Sequence, residues 1–503
     1  MPFATNTATV VSEPSQEPSM PEHGSMPQRV LSGFVALSAS SVLVMICQFG
    51  YAAVTARLLP VDAFGAYAVA LSGIGMLSLI NGSTLGLAAA RRSEADPAAD
   101  RALVTASLVT GAGVMVLAMA TATVWSALWG VPDAAPVIVV LAAGTPFVSV
   151  SAVVAGVLRR QGRTPVVARR SAVAQLLGML LGLVAVLETK ASWSLAVASV
   201  AGAVISTALL GVRLPRQDIT PSRPTREMVG DLLYSSKAAG MNLLRYGANL
   251  LTPWSIGRFA GVDALGAYNR ATTLVTVPLE NLQTALSYSL FPELRPEGPV
   301  FAKTRAFTQL MVLVTWPAVI AASLGVFGAG PFLSVLLGPQ WGAAASIGGL
   351  AVLLGVIPML GVPALSAVEA QGEFRISAVA WVVALLAIGI GSGWTVVTGD
   401  PRWAMLGLVA SKACSALVAL SYLARTGRFQ FGEYARGVLP ILAVQALVVA
   451  GLALATGTVV SGAIHQVGLV TVVGFVELGI LHAVRRRTSF GRIAHRLGLP
   501  GFR

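Results

Sequence analysis

The sequence predicts an all-α, polytopic membrane protein of about fourteen transmembrane helices, arranged as two parallel six-helix lobes plus two C-terminal helices. Three observations give this prediction. The 503 residues are 55% hydrophobic and only 11% charged, too little charge to cover the surface of a water-soluble globule. Apolar stretches of about 20 residues, long enough to cross a bilayer as a helix, recur along the chain. A short sequence near residue 60 is repeated, with few changes, near residue 261.

Each predicted helix is an apolar stretch between charged or Pro- and Gly-rich breaks. The predicted spans are 31–56, 63–90, 102–129, 135–158, 165–187, 192–212, 232–257, 264–292, 306–334, 342–369, 376–398, 403–424, 434–457 and 460–484.

These spans divide the chain into regions. The sequence predicts a disordered cytoplasmic tail (1–28), an N-lobe of six helices (29–212), a cytoplasmic linker (213–230), a C-lobe of six helices (231–428), two further helices (429–484) and a basic cytoplasmic tail (485–503).

The charge distribution predicts the orientation of the helices. The net charge is +13, but the arginines crowd alternate loops, as at Arg159, Arg160 and Arg163. By the positive-inside rule these loops and both termini are cytoplasmic, and nucleic acid is not an expected partner. Tryptophans near the opposite helix ends predict the outer membrane interface: Trp125, Trp129, Trp193, Trp254, Trp341, Trp394 and Trp403.

The repeated stretch indicates an internal duplication. PVDAFGAY (Pro60 to Tyr67) and GVDALGAY (Gly261 to Tyr268) align when Asp62 is matched to Asp263, an offset of 201. The offset also pairs Arg57 with Arg258. About six spans separate the copies, so the two halves run parallel, as in transporters that work by alternating access. The aspartates are expected to cap the helices that follow, and the glycines, Gly65 and Gly266, to permit close helix approach.

These residues resemble a known family. ARLLPVDAFGAYAVALS (Ala56 to Ser72) is similar to the "RxLGPxxFGxYxLA" segment of Wzx-type polysaccharide flippases, which move lipid-linked oligosaccharides. IGRFAGVDALGAYNRATTLVTVPLENLQTALSYSLFPEL (Ile256 to Leu294) resembles their second-half segment, which ends in "lFPxL". Such flippases belong to the superfamily that also includes MATE drug exporters and lipid II flippases.

The resemblance implies a function. It implies that the chain moves undecaprenyl-pyrophosphate-linked oligosaccharide repeat units across the bacterial cytoplasmic membrane, for exopolysaccharide or cell-surface polysaccharide synthesis. The implied partners are this lipid-linked substrate, membrane lipids, and polysaccharide polymerases or glycosyltransferases. A second interpretation is a MATE-type, cation-coupled exporter of small molecules or drugs. The chain departs from the superfamily in lacking an acidic residue in its first helix and in carrying Ala248 and Asn249 where family members often have Asp.

Ionisable and polar residues inside predicted spans indicate where a substrate would bind, because a charge at mid-bilayer needs a partner or a water-filled cavity. On the seventh helix, Asn242, Arg245 and Asn249 share one face, and Lys237 lies two turns away on that side. The eighth helix carries Arg270.

Arginine forms bidentate hydrogen bonds with phosphate, so Arg245 and Arg270 are predicted to hold the pyrophosphate. Asn242 and Asn249 are predicted to line the path, and Lys237 is included in the substrate site. Two alternatives remain open: an internal Arg–Glu network that touches no substrate, and a Lys237 that extends to the cytoplasmic interface.

The acidic residues Glu280 and Glu477 are candidates for ion coupling or for pairing with these cations. Glu280 could pair with Arg245 or Lys237, whereas Arg270 has only Asn249 as an evident neighbour.

The sequence predicts neither an enzyme nor a metal or cofactor site. Its two cysteines and four histidines show no ligand spacing, and no phosphate-cradling glycine loop or paired-carboxylate motif occurs.

Overall fold

The structure, a computed structural model, describes residues 43–81, 85–86, 89–90, 97–212, 246–280, 283, 304–458 and 462–484. Within these residues the chain is helical and contains no strand, which confirms the predicted all-α class. We number the helices in chain order as α1 (Leu43–Leu58), α2 (Val61–Asn81), α3 (Pro97–Trp129), α4 (Ala134–Arg160), α5 (Thr164–Thr189), α6 (Ser194–Gly211), α7 (246–260), α8 (262–280), α9 (Thr304–Leu337), α10 (Gly342–Ala370), α11 (Phe374–Thr398), α12 (Pro401–Arg425), α13 (Phe431–Thr458) and α14 (Ala463–Val484).

Most of these helices can cross a membrane. Among the described residues, eleven helices are long and apolar enough to do so, namely α2 to α6 and α9 to α14. The described part of α1 is shorter, and α7 and α8 contain the π-helical turns Ile256–Ala260 and Thr272–Thr276. The predicted spans agree with the observed helices to within a few residues wherever both ends are described.

Proline and glycine set many helix ends. Proline stands in the first turn of α5 and α12, where a missing N–H costs nothing. At α12 the Asp400 side chain also accepts a hydrogen bond from the Arg402 backbone N–H, at 2.9 Å. Gly130 and Gly399, which follow α3 and α11, have φ of +70° each, a conformation that favours glycine.

The helices pack as two sets with two additional helices. In the N-lobe, α3 packs on α4 and α5 packs on α6; in the C-lobe, α9 packs on α10 and α11 packs on α12. The trailing helices α13 and α14 both contact α9. This arrangement agrees with the predicted fold of two six-helix lobes plus two helices.

The two lobes meet through the repeated motif. A Cβ added to Gly65 of α2 would lie 2.2 Å from the carbonyl oxygen of Val262, and one added to Gly266 of α8 would lie 2.3 Å from that of Val61. Residues 61 and 262, like 65 and 266, are 201 positions apart, so the two copies contact each other reciprocally. We call the end of the bundle that carries this contact the motif end.

The repeated arginines also reach across the lobes at the motif end. Arg57 donates a hydrogen bond to the carbonyl of Val335, near the end of α9, at 3.0 Å. Arg258 lies against Gly130, at the end of α3. Each arginine therefore contacts the third helix of the opposite lobe, near the carbonyl end that attracts cations.

One expectation about the motif end requires correction. Asp263 does not cap α8: the N-cap is Gly261, without a side-chain hydrogen bond, and Asp263 lies in the first turn, where its charge favours the helix dipole. Asp62 holds the equivalent first-turn position in α2. Two of the tryptophans, Trp129 and Trp341, stand at helix ends but are buried in the protein, and the Trp341 indole donates to the carbonyl of Ala56 at 3.0 Å.

Candidate functional site

A polar cavity lies between the N-lobe and α8. Its volume is about 520 Å³, and its walls come from α1, α2, α4, α5, α6 and α8. The polar side chains of this N-lobe cavity are Gln48, Tyr51, Tyr67, Ser151, Ser171, Gln175, Ser199, Ser206, Asn269, Arg270 and Thr273. A cavity of this size at the contact between two structural repeats is the expected position of a substrate site in a transporter.

Arg270 is the charged residue in the described wall of this cavity. Only 7% of Arg270 is exposed, and its guanidinium carbon lies 4.1 Å from the centre of the Phe64 ring, which holds the cation from the opposite lobe. The hydroxyls of Tyr51 and Tyr67 are close enough to interact with it electrostatically. The described neighbours of Arg270 are therefore aromatic side chains that the sequence did not indicate.

Two polar atoms at this site lack partners. Among the described residues, neither Arg270 Nε nor the Tyr51 hydroxyl has a hydrogen-bond partner, although both atoms are buried. The Tyr67 hydroxyl lies 3.2 Å from Ser199 Oγ. A guanidinium on the wall of a polar cavity is suited to donate hydrogen bonds to a bound anion.

The backbone of α8 is irregular where it carries Arg270. The π-helical turn Thr272–Thr276 begins two residues after Arg270, and Pro278 lines the cavity just beyond it. Proline has no N–H and its ring crowds the carbonyl four residues earlier, which accounts for the widened turn. The Thr276 hydroxyl then donates to the Ala351 carbonyl at 3.0 Å and joins α8 to α10. Turns of this type occur frequently at functional sites.

Asn249 lies elsewhere. It lines a second cavity of about 160 Å³ among α7, α10, α11 and α12, which we call the C-lobe cavity. Trp381 and Lys412 also line it. Arg270 and Asn249, predicted to lie on one path, therefore face two different cavities.

The two acidic candidates occupy different environments. Glu280 is exposed near the described end of α8, and its electrostatic partner is Lys412 of α12. Glu477 of α14 is buried and accepts a hydrogen bond from the Gln445 amide, whose own oxygen accepts one from Ser323. Glu477 thus joins α14, α13 and α9 and lines neither of the two cavities.

Three of the predicted site residues, Lys237, Asn242 and Arg245, lie outside the described residues.

The sequence did not single out most of the N-lobe cavity. Tyr51 and Gln48 lie on α1, Gln175 on α5 and Ser199 on α6, and none of them stands in a polar stripe like that of the seventh helix. Tyr67 belongs to the repeated motif. The repeat therefore marked this residue, but it was interpreted as evidence for the fold and not for the site.

Comparison with known proteins places the chain in a family. Residues 54–346 match the family described as "Polysaccharide biosynthesis protein". The teichuronic acid biosynthesis protein TuaB of Bacillus subtilis (strain 168) is 30% identical over 133 residues, which are 26% of this chain and 27% of that protein. The similarity thus spans about a quarter of the curated relative.

Solved structures share the fold. The lipid II flippase MurJ, in an inward closed conformation, matches with a TM-score of 0.67 and 10% identity over 90% of this chain and 99% of that chain. An inward-facing multidrug resistance MATE transporter of the MOP superfamily matches with a TM-score of 0.57 and 18% identity over 78% of this chain and 98% of that chain. At such identities the likeness establishes the fold alone.

The segment matched by the family covers more than half of the chain and contains both copies of the motif and Arg270. The resemblance inferred from the motifs is therefore confirmed, and the chain belongs to the polysaccharide biosynthesis protein family, with the fold of the MOP-superfamily transporters.

Proposed function

We propose that this protein is a flippase that moves undecaprenyl-pyrophosphate-linked oligosaccharides across the bacterial cytoplasmic membrane by alternating access. The observation that carries the proposal is Arg270, a buried arginine with an unpartnered Nε, on the wall of a polar cavity between the repeats. A pyrophosphate accepts bidentate hydrogen bonds from arginine, which are strong in a low-dielectric setting.

The rest of the cavity suits the sugars that follow the pyrophosphate. Gln48, Gln175 and Ser199 supply amide and hydroxyl groups that donate to and accept from sugar hydroxyls. We further propose that Arg245, Asn242 and Lys237 contribute to the same path from the seventh helix. Glu280 and Glu477 are the candidate ion-coupling acids.

An apolar groove beside the cavity suits the polyprenyl chain. It has a volume of about 380 Å³, and Phe49, Leu274 and Pro278 line both it and the N-lobe cavity. Its other walls come from α8, α9, α10 and α14 and are apolar except for Thr471. A lipid whose headgroup enters the cavity can therefore keep its tail in an apolar environment.

The motif end completes the proposed cycle. We assign it to the outer face, with both termini cytoplasmic and with lobe boundaries at 29–212 and 231–428, joined by the linker 213–230. The reciprocal contact of Gly65 and Gly266 then closes the outer face while the substrate enters from the cytosol. Polysaccharide polymerases and glycosyltransferases are the proposed partners.

The alternative, an exporter of cationic drugs, is favoured less by this site. Such a transporter needs a negative charge to bind its substrate, whereas the described lining of the N-lobe cavity contains Arg270 and neither Asp nor Glu.

The proposal is tested by reconstituting the purified protein in liposomes and measuring translocation of a fluorescent undecaprenyl-pyrophosphate-oligosaccharide. We expect Arg270→Ala to slow translocation by roughly 10- to 100-fold, because a hydrogen bond to a charged group contributes about 1.5–3 kcal/mol. Arg270→Lys keeps the positive charge but cannot form bidentate hydrogen bonds. Its translocation rate should therefore lie between those of the wild type and Arg270→Ala.

Arg402→Ala is the matched control, since Arg402 is an exposed arginine at the start of α12 and lines neither cavity. Failure of the wild-type protein to move the lipid, or equal losses in the two alanine variants, would refute the proposal. Efflux of a fluorescent cation such as ethidium by the wild type would favour the exporter.

A further inference from the structure

The C-lobe cavity has a counterpart in the N-lobe. Besides α2 and α8, the N-lobe cavity takes walls from α1, α4, α5 and α6. The C-lobe cavity takes its walls from α7, α10, α11 and α12, the helices of the second set that correspond to those four. Gln48 and Asn249, both amides, are separated by the same 201 positions as the repeated motif. The two cavities thus share the walls of four corresponding helices, although the N-lobe cavity also extends to α8 of the other lobe.

A second match supports this correspondence. The turn before α5 contains Gln161 and Gly162, and the turn before α11 contains Gln371 and Gly372. The two glycines share a positive φ, +72° and +77°. The helix pairs that enclose the two cavities are therefore joined by like turns.

The C-lobe cavity differs from its counterpart in chemistry. It is smaller and mostly apolar, with the half-buried ring of Trp381 on one wall and Asn249, Lys412 and the hydroxyls of Ser411 and Ser415 on the others. The Lys412 ammonium is the electrostatic partner of Glu280. The arginine that the proposed function assigns to the pyrophosphate, Arg270, lies in the other cavity.

We infer that the C-lobe cavity binds one sugar ring of the transported glycan. This inference rests on the proposed function and adds a subsite to it. A pyranose presents an apolar C–H face and a rim of hydroxyls; Trp381 offers a flat apolar surface to the face, and Asn249 and Lys412 offer hydrogen bonds to the rim. The volume of about 160 Å³ accommodates a single ring. A lipid tail would leave these polar groups against hydrocarbon, which is unfavourable.

The test compares two lipids on the full-length protein in detergent. Binding of an undecaprenyl-pyrophosphate-oligosaccharide and of sugar-free undecaprenyl pyrophosphate is measured by thermal shift for the wild type and for variants at Trp381. We expect Trp381→Leu to weaken binding of the oligosaccharide lipid by about tenfold, the loss of one aromatic stacking contact, and to change binding of the sugar-free lipid less than twofold. Trp381→Phe keeps an aromatic face and should restore most of the affinity.

Trp394→Leu is the matched control: Trp394 lies on the same helix, is 52% exposed and does not line the cavity. The inference is wrong if Trp381→Leu weakens binding of both lipids equally or of neither. It is also wrong if Trp394→Leu selectively weakens binding of the oligosaccharide lipid. Trp381→Phe should fold even if the leucine variant does not. A phenylalanine variant that weakens binding of the two lipids equally, or that binds the oligosaccharide lipid as weakly as Trp381→Leu, would overturn the subsite.

These results are distinguishable from a failure of the proposed function. If the wild type does not translocate the oligosaccharide lipid in liposomes, the flippase proposal fails, whatever the Trp381 variants do. If the wild type translocates it but the selective loss is missing, only the sugar subsite fails.

Discussion

Arg270 illustrates how this chain keeps a charge within the membrane. An arginine at mid-bilayer costs about 3 kcal/mol or more unless it has a partner or water. Here the partners are the Phe64 ring and two tyrosine hydroxyls rather than a carboxylate. The Arg270 Nε has no hydrogen-bond partner among the described residues, and the proposed function assigns this guanidinium to an anionic headgroup.

Arg160 illustrates the opposite case, a charge neutralised within the protein. Its guanidinium forms a bidentate pair with Asp100, with Nη2 to Oδ2 at 2.5 Å and Nη1 to Oδ1 at 3.1 Å. The side chains are only 11% and 6% exposed. The sequence placed Arg160 in a cluster that marks the cytoplasmic side, but its neighbours show that it joins α4 to the start of α3.

We expect Arg160→Met to destabilise the protein strongly. Removing one partner of a buried pair leaves the other charge uncompensated, at a cost of about 3–5 kcal/mol. The thermal unfolding midpoint in detergent measures this effect. Arg159→Met is the control, because Arg159 is the exposed neighbour.

If the two methionine variants unfold at the same temperature, the Asp100 pair contributes nothing. A double variant that also carries Asp100→Leu should recover part of the loss, since it buries no lone charge.

At the scale of single elements, the contact of α2 with α8 depends on two glycines. Each glycine faces a carbonyl of the other lobe at a distance that admits no Cβ. Close approach of this kind is how small residues bring membrane helices together.

We expect Gly65→Ala and Gly266→Ala to have similar effects, because the contact is reciprocal. Each added methyl would push α2 from α8 and destabilise the closed motif end by about 1–3 kcal/mol. Translocation rate and unfolding temperature measure the result. Gly113→Ala in α3 is the control, since a Cβ there meets nothing within 4 Å.

The double glycine variant tests reciprocity further. Two residues in one contact give a combined effect that differs from the sum of the single effects. Independent, additive losses, or a loss at only one glycine, would show that the two contacts are not equivalent.

At the scale of the whole molecule, the duplication explains why the motif occurs twice. A two-fold arrangement of similar lobes brings the same residues of each copy to one interface. A residue that stabilises this interface in one copy therefore stabilises it in the other copy as well. Arg57 and Arg258 add a second pair of contacts between the lobes, because each arginine reaches the third helix of the opposite lobe.

We expect the double variant Arg57→Ala, Arg258→Ala to open the motif end more often. The variant loses one hydrogen bond and two contacts between a charge and a helix dipole. This loss should shift the equilibrium between the closed and the open motif end by roughly tenfold. Labelling of Ser199→Cys with a membrane-impermeant maleimide, after Cys47→Ser and Cys414→Ser, measures the change, because Ser199 lines the N-lobe cavity.

Arg402→Ala serves again as the control, as an exposed arginine in the first turn of α12. Unchanged labelling in the double arginine variant, or an equal increase in the control, would mean that these arginines do not hold the motif end closed.

The sequence alone determined the class of the protein, its spans and its family. These depend on local properties: an apolar stretch inserts wherever it stands, and the motif is contiguous in the chain. It also identified Arg270 and Asn249 as polar residues of the spanning helices.

Only the tertiary structure decided which side chains share a cavity. Phe64 meets Arg270 and Asp100 meets Arg160 across long stretches of chain, and Asn249 turns to a different cavity from Arg270. Such pairings depend on how each helix is rotated and where it crosses its neighbours. These are set by the packing of many residues at once, and the spacing of polar residues along one helix does not fix them.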